Sequence, residues 1–92
     1  MSGISVIRKA EQADYDAVQA AAMRFCDRHG ISYDSPGDAE YAIHYEMDPM
    51  SAGHNQARIR KLWTACYCRA LREPTDVRLT IAYGHVGIYL PN

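Results

Sequence analysis

The apolar positions change period along the chain, and each change marks an element. Ile4-Ser5-Val6-Ile7-Arg8 alternates as a short strand does, with Ile4 and Val6 expected on one side. From about Gln12 the pattern becomes helical: Tyr15, Val18, Ala22, Phe25, Cys26 and His29 recur at steps of three and four, and Gly30 stands where a helix C-cap needs a positive φ. Ser35-Pro36-Gly37-Asp38 reads as the start of a second helix, with serine as N-cap and proline at the first helical position. That helix is expected to run to about Met47 with Ala39, Ala42, Ile43 and Met47 inward, and to stop before Asp48-Pro49. After a loop at Pro49–Gly53, a third helix is predicted from His54 or Asn55 to Arg72, its stripe formed by Ile59, Leu62, Trp63, Cys66 and Ala70. Val77, Leu79, Ile81 and Tyr83 alternate again, Gly84-His85 is the expected two-residue turn, and Val86 to Leu90 returns. A lone hairpin is marginal in water, so it must pair with the first strand or pack on helices. The order strand, helix, helix, helix, strand, strand defines an α+β fold: three helices with a small antiparallel sheet made of the N-terminal strand and the C-terminal hairpin, in a single domain spanning 1–92.

Charge adds a polarity that the periodicity does not show. The net charge is −1, yet residues 1–50 carry four basic side chains against nine acidic ones, and residues 51–92 carry six against two. An acidic surface and a basic surface on one small body are expected. With a pI near 6.4, binding of free nucleic acid is not the expected main activity, since such domains are usually strongly basic. Arg58, Lys61, Arg69 and Arg72 fall within an arc of about 80° on the third helix and form the candidate phosphate or RNA contact. Tyrosine is enriched, with seven in 92 residues, too many for so small a core to bury fully. Asp27, Tyr33, Asp34, Asp38, Glu40 and Tyr41 combine carboxylates with tyrosines and form the candidate surface for a basic protein partner.

Candidate chemistry changes the picture little. Cys26-x-x-His29 and Cys66-x-Cys68 have the residue types of a metal site, but Cys66 and Cys68 lie about 200° apart on a helix and cannot converge on one ion. Three cysteines make no disulfide framework, and a reducing cytoplasm is expected. No phosphate-cradling glycine loop, dinucleotide fingerprint or nucleophile elbow is present. No run approaches the roughly 18 apolar residues of a membrane span. The expectation is a binder, neither an enzyme nor a membrane protein, with no cofactor and no small-molecule substrate.

The segments "ISVIRKAEQADYDAVQAAAMRFCDRHG", "DPMSAGHNQARIRKLW" and "YGHVGIYLPN" resemble a phage-encoded anti-CRISPR protein of the type I-F class, over the full length of the chain. These proteins share no common motif, so the resemblance assigns no residue. It implies a stoichiometric inhibitor that binds the multisubunit, guide-RNA-loaded type I-F CRISPR surveillance complex, on its backbone and large subunits. Hybridisation or retention of target DNA would be stopped sterically and electrostatically in an infected bacterial host, and the guide RNA is a possible second contact. A different reading of the same elements is a winged helix-turn-helix DNA-binding regulator, with 54–72 as the reader and 77–90 as the wing.

Overall fold

A computed structural model describes residues 3–48, 56–74 and 77–90. Strand β1 (Gly3–Lys9) is followed by α1 (Gln12–His29), a single 3₁₀ turn at Pro36–Asp38, α2 (Ala39–Met47), α3 (Gln56–Ala70), β2 (Leu79–Ala82) and β3 (His85–Leu90). The sheet is antiparallel in the order β1-β3-β2, so the N-terminal strand completes the C-terminal hairpin. The expected α+β architecture is present in every element.

Helix ends follow backbone chemistry. Gly30 takes φ +68° after α1, and the Ile31 N–H reaches back to the Cys26 carbonyl at 2.9 Å. At the end of α3 the same loop closes without glycine: Arg72 takes φ +61°, and Glu73 N–H bonds the Cys68 carbonyl at 2.9 Å. The helix therefore ends at Ala70 by its own capping bonds, four residues before Pro74. The expected start at His54 or Asn55 and the loop at 49–53 lie outside the described residues. Ser35 precedes the 3₁₀ turn and spends its hydroxyl on Asp38 Oδ2, at 2.8 Å, in place of a helix amide. The α-helical bonding of α2 consequently begins at Ala39.

The core sits where the three helices meet. Val18, Ala21, Ala22, Phe25 and Cys26 from α1 pack with Ala39, Ile43 and Met47 from α2 and with Trp63, Tyr67 and Leu71. Alanines at 21 and 22 let the backbones approach, and the aromatic rings fill the space that remains. Phe25 meets Trp63 edge-on at 5.4 Å, and Trp63 meets Tyr67 at 5.6 Å. Two thiols join neighbouring elements as donors: Cys26 Sγ to the Ala39 carbonyl at 3.4 Å, and Cys68 Sγ to the Val77 carbonyl at 2.9 Å.

Two details correct the expectations. On α3 the most buried positions are Trp63, Tyr67 and Cys68, while Ile59, Leu62, Cys66 and Ala70 are only half-buried. The stripe is rotated because α3 packs on the edge of β2 as well as on α1. The turn is Tyr83-Gly84, not Gly84-His85: both residues have positive φ, +53° and +78°, and Ala82 pairs with His85. That is the type I′ geometry whose twist matches the strands. In the first strand Ile4 and Val6 do share one side, opposite Tyr89 and Gly87, but it is the face away from Val86 and Ile81: Val6 is 58% exposed, and Ile7 beside it is also exposed. The register slips between Val6 and Arg8, so Ile7 is a bulge residue. The bulge turns Arg8, not an apolar residue, toward the inner face that Val86 and Ile81 occupy.

Arg8 ties the sheet to the helices from that position. Its guanidinium donates to both oxygens of Asp14, at 2.7 and 2.9 Å, and to the Leu71 carbonyl at 3.4 Å, with Glu73 at 3.8 Å. Asp14 also accepts the Glu11 N–H at 2.8 Å, closing the first turn of α1. The other sheet edge is covered by α3. The Ile81 N–H, directed away from β3, donates to the Tyr67 hydroxyl at 3.0 Å, where another strand would otherwise pair.

Candidate functional site: two charged surfaces

The acidic candidates assemble at one end of the helix pair. Asp27 lies in the last turns of α1, Tyr33 and Asp34 in the connection, Asp38 and Glu40 at the start of α2, and Tyr41 on its first turn. Asp27, Asp34 and Asp38 are exposed, and Glu40 is half-buried with its carboxylate 3.5 Å from His44. The Tyr33 hydroxyl donates to Asp27 at 3.4 Å, and partial burial followed by the charge of Asp27 pushes the phenol pKa up. A carboxylate in the first turn of α2 complements the helix dipole, which accounts for part of this clustering without any partner.

Tyrosine exposure goes beyond what capping requires. Tyr41 is 77% and Tyr45 64% exposed, one helical turn apart on α2. Together they border a shallow hollow with Gly30, Ile31 and Ala42. Behind Tyr41, a cleft of about 520 Å³ runs between α1, α2 and the β2 edge, bounded by Tyr15, Gln19, Glu40, His44 and Tyr67. A second cleft of about 360 Å³ continues from Glu40 and His44 to Arg60 and Arg78. The sequence pattern signalled the tyrosines and acids of this face but missed His44 and Tyr67, because they become neighbours only through the packing of α2 on α3.

The basic candidates divide. Arg58, Lys61 and Arg69 are exposed on α3. Arg72 lies beyond the helix in the left-handed conformation, so the helical arc expected for all four ends at Arg69. Arg69 does not stand alone. It lines a cleft of about 240 Å³ between α1 and α3 with Arg24 and Arg28, over a floor of Ala21, Phe25 and Ala70. Charge tallied by halves hid these two arginines within an acidic segment. Their four-residue spacing was the available signal, since it places both on one face of α1.

Tyr67 is the most perturbed titratable group described. Burial, and then the charge of Glu40, hold its phenol far above the usual tyrosine range, so the hydroxyl stays protonated and continues to accept the Ile81 N–H. Cys26 is fully buried, and burial pushes its thiol up, which makes it a packing group and a weak donor to a carbonyl. No group of three potential metal ligands occurs among the described residues, and none of the described helices is long and apolar enough to cross a membrane. No protein-family model, curated protein or solved structure matches this chain.

Proposed function

We propose that the chain is a stoichiometric inhibitor of the type I-F CRISPR surveillance complex, docking on its protein subunits and preventing target DNA from hybridising or staying bound. The observation that carries this reading is the α2 face, where Tyr41 and Tyr45 stand largely exposed beside Asp34, Asp38 and Glu40. Aromatic rings with two rotatable bonds supply contact area at low entropic cost, and carboxylates beside them select a basic partner. Subunits that line a DNA path carry such cations. Arg58, Lys61 and Arg69 on α3 supply a separate basic surface able to meet the guide RNA. Inhibition then needs occupancy only, with no turnover and no cofactor.

Co-elution tests the reading. The protein mixed with purified surveillance complex is expected to migrate with it through a sizing column, and the D34K/D38K/E40K variant to remain free. A charge-reversed protein that still co-elutes and inhibits refutes the acidic docking face. The exposed cations of α3 also favour a second reading, the winged helix-turn-helix regulator, which requires the chain alone to bind duplex DNA. The acidic start of α2 opposes that reading.

A further inference from the structure

Arg24 and Arg28 on α1 and Arg69 on α3 line a single concave seam, and none of the three makes an ion pair among the described residues. Three like charges around one cleft repel one another, and nothing acidic lines the seam to offset them. The adjacent carboxylate, Asp27, is instead engaged with the Tyr33 hydroxyl. Arg69 is oriented locally, its Nη2 donating to Cys66 Sγ at 3.4 Å. The floor of Ala21, Phe25 and Ala70 is apolar and comes from the helix–helix contact itself, so the cleft does not depend on loop conformation.

We infer that this seam is a binding site for the phosphodiester backbone of a single nucleic-acid strand. Guanidinium groups present planar, paired donors to phosphate oxygens, and three around one hollow neutralise a phosphate more completely than a row on one helix can. Arg24 and Arg28 are separated by about 6 Å of helix rise, so they can follow the strand while Arg69 closes the cleft from the opposite wall. A seam this small, between two packed helices, takes the backbone of one flexible strand, which bends into it, more readily than that of a rigid duplex. The inference adds Arg24 and Arg28 to the phosphate-contacting half of the proposed function. It is tested on the free protein, so it stands or fails separately from inhibition of the surveillance complex.

The experiment is fluorescence anisotropy of a labelled oligouridylate, chosen because its weakly stacking bases leave the backbone as the main determinant. Three phosphate contacts on a single strand predict about an 18-fold loss of affinity between about 50 and 200 mM salt. The R24A/R28A variant is expected to bind about tenfold more weakly than the parent, whereas K9A/R78A, which removes one cation from β1 and one just before β2, changes affinity less than about twofold. Equal losses in the two variants would mean that only the overall field attracts RNA, and would overturn the site. So would parent protein that does not bind, or that binds a DNA duplex as tightly as the single strand. Cys66 supplies an internal reporter, since it lines the seam while Cys26 and Cys68 are buried. Bound oligouridylate is expected to slow alkylation of Cys66, and an unchanged rate at saturation also overturns the placement. Competition by inorganic phosphate at equal phosphate concentration, with no preference for the strand, would reduce the seam to a site for free anions and reject the strand.

Discussion

Replacing Tyr67 with phenylalanine removes one oxygen and leaves the ring packing in place, which isolates the bond that closes the sheet edge. The tyrosine is 8% exposed and meets Trp63 edge-on, so the Phe ring retains the same contacts. What is lost is the acceptor for the Ile81 N–H at 3.0 Å. An amide left unpaired in a dry interior costs about 1–3 kcal/mol, but here both residues border a cleft that water can enter. The cost is therefore placed at the low end, about 1 kcal/mol, equivalent to a fall of about 4–8 °C in Tm for a domain of this size. The pH arm has a definite sign. Because the folded phenol pKa is raised above the unfolded value, parent stability is fully present below about pH 10 and declines as pH rises beyond it, at up to about 1.4 kcal/mol per pH unit from this group. Y67F lacks that group, so its alkaline decline is shallower. The assay is thermal melting by circular dichroism at neutral and alkaline pH, with hydrogen exchange at the Ile81 amide. Equal melting temperatures at neutral pH, or Ile81 exchange unchanged relative to its neighbours, refute the edge-closing role.

Three further substitutions examine other joints. Y83N relieves a tyrosine held at φ +53° in the type I′ turn and 96% exposed, and is expected to stabilise by about 0.5–1 kcal/mol, read as a rise in Tm. G87A places a methyl group against Ile4 Cγ2 and 3.0 Å from the Ser5 carbonyl, and is expected to cost about 1–3 kcal/mol in chemical denaturation. D14N breaks the paired bonds from Arg8, whose guanidinium, with the Glu11 amide, holds the Asp14 carboxyl below the usual range. Stability from that carboxylate is present above the unfolded pKa and is lost as pH falls through the folded one, so D14N should be less stable at pH 7 and lose less on acidification.

The elements were legible where local chemistry decides them. The three- and four-residue steps around Val18, Phe25 and Cys26 and the glycine at position 30 define α1 without tertiary information. What the pattern misplaced depends on partners. Tyr67 and Cys68 became core because α3 closes a sheet edge, a contact that no periodicity within α3 encodes. Arg8 reaches Asp14 because the bulge at Ile7 resets the pleat after Val6 and puts Arg8, in place of Ile7, opposite Val86. The turn shifted by one residue because two consecutive positive φ values satisfy the hairpin twist even with tyrosine in the first position. For the candidate surfaces, composition identified the acids and tyrosines of α2 and the cations of α3. Arg24 and Arg28 were missed because their role depends on which face of α1 packs against Arg69.

The proposed occupancy of the surveillance complex is tested most directly by a gel shift. Labelled target DNA is incubated with purified type I-F complex and increasing amounts of this protein, alongside lanes holding only DNA and protein. The complex–DNA band is expected to disappear near equimolar protein while duplex DNA in the control lanes stays free. An undiminished complex–DNA band at excess protein contradicts it, and a shift of the bare duplex in the control lanes favours the regulator instead.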